Sequence, residues 1–368
     1  MAEAAGAQTG QVMRAQGSPG HRLRVRRVVT ETAQARSLVF EVPEELRERF
    51  AYLPGQFLTL RVPVPGGALG RCYSLSSTPG VEHDLKVTVK RVAGGTGSNW
   101  ICDHVEAGDL IEVLPPAGRF TSPDLMADHL LIAAGSGITP IMSILKAVLS
   151  GPAGRAVLLY ANRDETSVIF AGELRELAAR HPERLTVIHL LESVQGRPTA
   201  DQLAPLVRPF AGFAGAFVCG PEPFMDAAER ALLACGMPRG RVTTERFHSL
   251  AADPFRIAPE PADTQGGQGS RDAQDAAPVR LAVTLDGRRA SLSWPSGTTL
   301  LEVLLAGGLD APFSCREGSC SACACKVVSG EVKMLRNEVL EEQDLAEGWV
   351  LGCQSLPVTE AVEVTYDD

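Results

Sequence analysis

The sequence contains no stretch of about 18 consecutive apolar residues, the length that a membrane-spanning helix needs. Its first twenty residues are rich in Ala, Gly and Gln and lack an apolar segment, so they do not resemble a secretory signal peptide. The sequence has fewer basic than acidic residues, with 35 Lys and Arg against 44 Asp and Glu, which gives a net charge of −9. Nucleic-acid binding needs a basic face. We therefore expect a cytoplasmic protein with no membrane span and no nucleic-acid partner.

Two common hydrolase motifs are also missing, because the chain has neither G-x-S-x-G nor H-E-x-x-H. The seven histidines are scattered and form no ligand cluster: His21, His83, His104, His129, His181, His189 and His248. Cysteine, in contrast, is plentiful, with nine residues. In a cytoplasmic chain that number indicates metal binding or burial rather than disulfide bonds.

Four of the cysteines have the spacing of a plant-type [2Fe–2S] site. Cys315, Cys320 and Cys323 follow the pattern C-x4-C-x2-C, and Cys353 comes after a long gap. Each iron takes two thiolates, so a compact loop supplies three ligands and a distant turn the fourth. Small residues between the cysteines let backbone N–H groups approach the sulfurs. The alternative is a structural zinc site, although such sites usually pair two short-spaced knuckles.

A length of 368 residues allows two or three domains. Residues 1–20 are predicted to be a disordered tail. In 21–125, short strands with alternating apolar and polar residues are separated by turns rich in Gly and Pro, which predicts an antiparallel β-barrel. In 126–251, strands alternate with helices, which predicts an α/β domain with a parallel sheet.

Residues 252–278 are rich in Pro, Gly, Gln, Asp and Ala, which predicts a linker. The last domain, 279–368, opens with two strand-like runs joined by Asp286-Gly287, a strong signal for a two-residue hairpin turn. Thr299 and Glu302 fit a capping box at the start of a short helix. The cysteine loop follows this helix.

Two segments of the predicted barrel suggest a flavin site. In RCYS, Arg71 supplies a cation for phosphate, Tyr73 an aromatic face and Ser74 a small hydroxyl. Downstream, the glycine-rich loop 94–99 runs into a helix, whose first N–H groups favour an anion. The structural alternative for the first segment is an exposed arginine beside a buried tyrosine. The two segments in this order favour the flavin.

Two loops of the α/β domain suggest a dinucleotide site. Gly135 and Gly137 lie between a strand and a helix for which Thr139 is the predicted N-cap, and Cys219 ends a later strand. The alternative for Cys219 is a buried small apolar side chain. After the second strand, Arg163 could meet a 2′-phosphate whereas Asp164 could bond a 2′-hydroxyl. We expect NADH, with NADPH less favoured.

Phe247 ends the run TERF at the last predicted strand of this domain. Its ring could cover the second face of the flavin, or it could be a core phenylalanine.

In this order the motifs resemble the ferredoxin-NADP-reductase-like oxidoreductases that are fused to a C-terminal plant-type ferredoxin. The resemblance covers about residues 21–368. Within the family, five segments are similar to the branch that serves bacterial 3-ketosteroid 9α-hydroxylases. They are PGQFLTL (54–60), RCYSL (71–75), AAGSGITPIMS (133–143), APFSCREG (311–318) and VEVTYD (362–367). Ser321 departs from the pattern, since several relatives carry glycine there.

The resemblance implies FAD in the barrel, NADH on the α/β domain, and a [2Fe–2S] cluster in a C-terminal domain of β-grasp fold (α+β). It implies that Arg71, Tyr73 and Ser74 hold the flavin and that Gly95, Gly97 and Ser98 meet its pyrophosphate. It further implies that Gly135, Thr139 and Cys219 line the nicotinamide approach, with Glu245 and Phe247 close to the flavin. The implied catalytic group is Ser74, Thr139, Cys219 and Glu245.

The implied function is electron transfer from NADH through FAD and the cluster to a Rieske-type oxygenase that acts in steroid or cholesterol degradation. An alternative is the reductase subunit for phenylacetyl-CoA epoxidase or another aromatic oxygenase, and an alternative of another class is a zinc-stabilised binding protein on a reductase fold. Residues 279–368 hold fourteen acidic and seven basic residues. This acidic domain could steer toward a basic patch on the oxygenase, or it could be merely a solvated acidic surface.

Overall fold

The computed structural model describes residues 19–64, 66–250, 253–255 and 279–367. The predicted tail (1–20) and linker (252–278) lie outside the described residues except for 19–20 and 253–255. None of the helices within the described ranges is long and apolar enough to cross a membrane.

The first domain is an antiparallel sheet of six strands in the order β4-β3-β6-β1-β2-β5. A bridge between Leu75 and Val87 links the end of β4 to β5 and closes the sheet into the predicted barrel. Helix α1 follows β5. The elements are β1 (His21–Thr32), β2 (Ala35–Glu41), β3 (Phe57–Val64), β4 (Gly67–Ser74), β5 (Leu85–Lys90), α1 (Thr96–His104) and β6 (Leu110–Val113).

Alternation along the strands determines which face of the barrel is buried. On β1, Leu23 and Val25 are buried, whereas Arg22 and Arg24 are exposed. Successive side chains of a strand point to opposite faces, so a shift of one residue would expose both apolar residues.

The second domain has the predicted parallel sheet, with five strands in the order β11-β10-β7-β8-β9. Helices pack on both of its faces. The strands are β7 (His129–Ala134), β8 (Ala156–Asn162), β9 (Leu185–Leu191), β10 (Gly215–Cys219) and β11 (Val242–Glu245). The helices are α2 (Ile138–Ser150), α3 (Ala171–Arg180), α4 (Glu192–Gln195), α5 (Ala200–Val207) and α6 (Glu222–Ala234).

The strand order reverses between β7 and β10, and such a switch point is where open α/β sheets bind ligands. The loops after these two strands begin at Gly135 and Gly220. The prediction that Thr139 caps α2 was wrong, because a 3₁₀ turn over Gly135–Gly137 leads directly into a helix that begins at Ile138. Thr139 lies inside the first turn, where its hydroxyl donates to the carbonyl of Ser136 at 3.0 Å.

The third domain combines a mixed five-stranded sheet, in the order β13-β12-β18-β14-β16, with a two-stranded sheet of β15 and β17. Helix α7 packs on the larger sheet, as a β-grasp fold requires. The elements are β12 (Val279–Leu285), β13 (Arg288–Trp294), α7 (Leu300–Ala306), β14 (Ala324–Ser329), β15 (Val332–Met334), α8 (Glu342–Ala346), β16 (Trp349–Leu351), β17 (Ser355–Pro357) and β18 (Ala361–Thr365).

Both local signals in this domain are confirmed. Asp286 and Gly287 have φ of 51° and 69°, as a type I′ hairpin turn needs, and the Asp367 carboxylate accepts from both of their N–H groups. Thr299 and Glu302 form the predicted capping box of α7. These contacts fix the scaffold from which the cysteine loop extends.

The barrel and the parallel sheet are joined by a buried charged network. Lys146, 3% exposed in its side chain, contacts Glu82 of the barrel and Glu173 of α3. At the start of the predicted linker, residues 253–255 pack on the barrel instead of extending into solvent. Phe255 is 2% exposed there, and Asp253 accepts from Arg61 at 3.3 Å.

Candidate active site and metal centre

A cavity of about 460 Å³ lies where the three domains meet. The barrel contributes Cys72 and Ser74, and the second domain contributes Glu245 and Phe247. The third domain contributes residues 319–321 of the cysteine loop. The predicted flavin residue Ser74 and the predicted cluster ligand Cys320 therefore face the same space, although they lie far apart in the sequence.

The four predicted metal ligands come together in the third domain. The backbone N–H of Cys315 lies 3.4 Å from the sulfur of Cys320, and the N–H of Cys353 lies 3.4 Å from the sulfur of Cys323. The thiols thus form two neighbouring pairs, which suits a cluster in which each iron takes two thiolates. Among the described residues, no group of three or more His, Cys, Asp or Glu side chains is placed to hold a single metal ion.

Backbone donors surround the first sulfur. The N–H groups of Glu317 and Ser319 donate to Cys315 Sγ at 3.3 and 3.4 Å. The side-chain contacts of Cys320 and Cys353, together with these donors, lower the pKa of Cys315. The cysteine loop is curved, partly because Ser321 has a left-handed backbone conformation with a φ of +53°. A left-handed backbone explains why glycine also suits this position.

Arg71 lies against the N-terminus of α1, so the structure brings the two predicted flavin segments together. A Cβ added to Gly97 would be 3.1 Å from Arg71 Cγ. The N-cap of α1 is Gly95, and no described side chain caps the helix, so its first N–H groups remain available to an anion. The Arg71 guanidinium donates to the carbonyl of Leu250 at 3.1 Å, which holds it near this point.

Ser74 and Glu245 face each other across the first two domains. The Ser74 hydroxyl donates to Glu245 Oε2 at 3.3 Å. Burial between the domains raises the pKa of Glu245 to about 8, and the hydrogen bond from Ser74 opposes only part of that rise. At neutral pH, Glu245 is therefore mainly protonated and can hold a proton beside Ser74.

Replacing Glu245 with Gln should remove a pH dependence of stability. The folded chain keeps the Glu245 proton up to about pH 8, whereas the unfolded chain loses it near the ordinary value of 4.5. The stability that this proton contributes is present below pH 4.5 and is lost as the pH rises to about 8. The melting temperature of E245Q relative to the unsubstituted protein should thus be higher at pH 8 than at pH 5. An equal difference at both pH values would contradict this, and E165Q, at the exposed Glu165, is the matched control.

Two further predicted residues occupy different environments. The ring of Phe247 is 51% exposed and lines the cavity, so it is not a core phenylalanine. Cys219 is fully buried among the core residues of the second domain, and burial raises the pKa of its thiol. Whether Cys219 acts on a nicotinamide or only fills the core stays a prediction.

Gly137 is required by the close approach of the two dinucleotide loops. A Cβ added to it would lie 2.1 Å from the backbone oxygen of Cys219. We expect G137A to destabilise the chain by about 1–3 kcal/mol through overpacking, and to widen the crevice. Thermal unfolding and the KM for NADH would measure the two effects. G172A is the control, because a Cβ there meets nothing within 4 Å, and an equally small effect of both variants would contradict this packing.

Sequence analysis missed Lys90, at the end of β5. Its amino group lies 3.1 Å from the position of a Cβ added to Gly135, so a cation from the barrel reaches the dinucleotide loop. The pKa of Lys90 is lowered mainly by burial and, to a smaller extent, by the positive charge of the nearby Arg163. Lys90 and Arg163 are thus neighbouring cations beside this loop, and the Asp164 carboxylate lies close to both. The sequence contained no signal for this, because Lys90 looks like any polar residue of an alternating strand.

Comparisons with known proteins agree with this architecture. A chain from Mycolicibacterium smegmatis named "3-ketosteroid-9-alpha-monooxygenase, ferredoxin reductase component" is 55% identical over 356 residues, which is 96% of this chain and 98% of that one. A chain of the same name from Rhodococcus rhodochrous is 53% identical, with 95% and 98% covered. The chain belongs to this family of ferredoxin reductase components. One component of the 1,2-phenylacetyl-CoA epoxidase of Escherichia coli is 35% identical, with 94% and 98% covered.

Family models divide this ferredoxin reductase component as the structure does. An oxidoreductase FAD-binding domain matches residues 22–122, an oxidoreductase NAD-binding domain 131–230, and a 2Fe-2S iron-sulfur cluster binding domain 283–358. The protein is an oxidoreductase that uses FAD, a pyridine nucleotide and a [2Fe–2S] cluster for electron transfer to an oxygenase.

Solved structures show the same fold. Phthalate dioxygenase reductase matches with a TM-score of 0.52 and 24% identity, with 95% of this chain and 99% of that one covered. Full-length CYP116B46 from Tepidiphilus thermophilus matches with a TM-score of 0.62 and 28% identity, and this chain covers 41% of it.

Proposed function

We propose that the chain takes electrons from NADH and delivers them, through FAD and then the cluster, to a Rieske-type oxygenase component of a 3-ketosteroid 9α-monooxygenase. The observation that carries the route is the shared cavity, which Ser74, Glu245 and the cluster loop all line. The steroid oxygenase is supported by the relatives of that name, at 53 and 55% identity. A plant-type cluster, at about −400 mV, is reducing enough for a Rieske centre.

When bound, FAD accepts the two electrons of a hydride together and releases them one at a time, as a cluster requires. Arg71 and the N-terminus of α1, with Gly95, Gly97 and Ser98, bind the pyrophosphate. Tyr73, which is partly buried against the barrel core, would pack along the ring system.

Ser74 and protonated Glu245 would hold a proton next to the flavin, because burial raises the pKa of the Glu245 carboxyl. Phe247, which lines the cavity, would cover the second face of the flavin. Thr139 and Cys219 would line the nicotinamide approach, and Gly135 and Gly137 would allow the dinucleotide to come close to the backbone. The four cysteines of the third domain hold the cluster.

We further propose that NADH is preferred to NADPH. Arg163 is the cation expected to meet a 2′-phosphate, and the Asp164 carboxylate lies 3.6 Å from it. Asp164 also accepts hydrogen bonds from Thr166 and Ser167 through Oδ1, so the structure fixes its negative charge at this point. A 2′-phosphate would be repelled there, whereas a 2′-hydroxyl would not.

We also propose that the three domains span residues 21–125, 126–251 and 279–368, and that the protein is cytoplasmic. The three family-model ranges fall inside those boundaries.

Reconstitution tests this function. The purified chain is mixed with the oxygenase component of a 3-ketosteroid 9α-monooxygenase, a 3-ketosteroid, oxygen and either NADH or NADPH. We expect 9α-hydroxylated steroid, formed faster with NADH. Because the Escherichia coli epoxidase component is 35% identical, a parallel reaction contains the other epoxidase components and phenylacetyl-CoA. Epoxide without hydroxylated steroid would overturn the steroid proposal in favour of the alternative.

A further inference from the structure

The third domain is seated on the other two through an arginine–acid interface. Arg239 of the second domain donates to Glu341 at 2.7 Å. Arg119, beyond the last barrel strand, lies 3.9 Å from the Asp344 carboxylate and 4.5 Å above the ring of Trp349. We call Glu341, Asp344 and Trp349 the acidic face. The basic side chains all come from the reductase body, meaning the first two domains, and the acidic ones all come from the third domain.

Two residues of the acidic face, Glu341 and Asp344, lie in the same cavity as the accessible edge of the cluster site. Of the four ligands, Cys315, Cys323 and Cys353 are 1, 2 and 5% exposed, whereas Cys320 is only partly buried. Cys320 lines the interdomain cavity together with Glu341 and Asp344. The edge through which an electron can leave thus lies in the interface with the body, and an outer protein cannot approach this edge while the interface is closed.

The contacts of this interface are individually weak, so the interface can open. The side chains of Arg119, Asp344, Arg239 and Glu341 are between 30 and 59% exposed. Ion pairs with that exposure are individually weak and are screened by salt. A buried hydrogen bond, 2.6 Å between the hydroxyls of Thr59 and Ser314, supports them beside the cluster ligand Cys315. An ion pair between Arg49 of the barrel and Asp310 of the third domain, with side chains 28 and 61% exposed, also crosses the interface. Such contacts hold the domain in place without fixing it there.

We propose that the acidic face is also the docking surface for the external electron acceptor, and that this acceptor is a protein with Lys and Arg side chains around its redox centre. The acceptor takes the place of Arg119 and Arg239, so docking to the body and docking to the acceptor exclude each other. Each docking event moves one electron from the reduced cluster to the oxidised iron of the acceptor, and one NADH supports two such transfers. This inference rests on the proposed function.

A charge-swap experiment on the full chain separates the two uses of the face. The body reversal is R119E/R239E, the face reversal is E341K/D344K, and the swap combines all four substitutions. E331K/E360K, at exposed positions of the same domain that do not line the cavity, is the matched control. Internal transfer is followed by stopped flow as NADH reduces first the flavin and then the cluster. Acceptor docking is followed by titrating the oxidised protein with oxidised cytochrome c, a basic haem protein, so that no electron moves.

The body reversal should slow internal transfer by at least about tenfold and leave cytochrome c binding no weaker. The face reversal should weaken both by at least about tenfold. The swap should restore internal transfer to within about threefold of the unsubstituted rate while cytochrome c binding stays weak, and this recovery also shows that the altered face is folded. Cytochrome c binding that survives the face reversal, or returns in the swap, would overturn the inference.

The unsubstituted protein gives a second test. Raising the ionic strength from about 0.05 to 0.5 M should slow internal transfer and weaken cytochrome c binding together, because it screens the same charges. If salt changed only one of them, the face would not be shared. Failure of the unsubstituted protein to reduce cytochrome c with NADH would instead count against the proposed function itself.

Discussion

Cytochrome c reduction with NADH falls by at least about 100-fold when Cys320 is replaced with serine, because the cluster loses one of the thiolates that hold its irons. Reduction of ferricyanide, which accepts electrons directly from a reduced flavin, should remain within about twofold, since Arg71, Ser74 and Glu245 are untouched. Steady-state assays with the two acceptors measure the split. The visible and EPR spectra should lose the cluster signals and retain the flavin bands.

Cys235→Ser is the matched control for this experiment. Cys235 is at the end of α6 and does not line the cavity that contains the cysteine loop. Its thiol donates to the carbonyl of Ala204 at 3.3 Å, a bond that a serine hydroxyl can replace. Both acceptors should be reduced normally by C235S. Loss of ferricyanide reduction in C320S would contradict the modular arrangement, because the flavin would then depend on the cluster domain.

Replacing Arg71 with alanine should weaken FAD binding by about 10- to 100-fold. A charge-assisted hydrogen bond contributes about 1.5–3 kcal/mol, and every 1.4 kcal/mol is a factor of about ten. The side chain lies beside the N-terminus of α1, so its loss leaves the helix as the remaining anion site. Fluorescence titration of the FAD-stripped protein with FAD measures the change.

The exposed Arg27 on β1 supplies the control, since R27A removes the same charge from the barrel at a distance from α1. It should bind FAD as tightly as the unsubstituted chain. If R71A kept full affinity, the pyrophosphate would not contact Arg71. If R27A lost as much affinity as R71A, the effect would come from the overall charge and not from a local contact.

The sequence was most informative where a function depends on close spacing. The cysteine pattern predicted the loop and its fourth ligand, because metal geometry limits how three ligands can follow one another. The hairpin turn at Asp286 and the capping box at Thr299 were equally local and were confirmed. The cap predicted at Thr139 failed because a 3₁₀ turn continues into the helix, and the glycines before it allow both conformations.

Contacts between domains could not be predicted from local sequence patterns, and only the family resemblance placed Ser74 and Glu245 near the same cofactor. Ser74 and Glu245 are 171 residues apart, and their hydrogen bond depends on how the barrel meets the parallel sheet. The pKa of Glu245 follows from that burial, so no pattern around TERF could reveal it. Arg119 and Arg239 look like ordinary surface residues until the third domain is placed against them.

The shared cavity gives the central claim a direct test, since it predicts that electrons from NADH reach the cluster within one chain. The measurement is anaerobic mixing with NADH, with flavin absorbance followed by stopped flow and the cluster by freeze-quench EPR. We predict that the flavin bleaches first and that the signal of a reduced [2Fe–2S] cluster then rises toward about one unpaired electron per chain, at a rate independent of protein concentration. A flavin that is fully reduced while the cluster stays silent, or a cluster signal whose rate scales with protein concentration, would contradict the account.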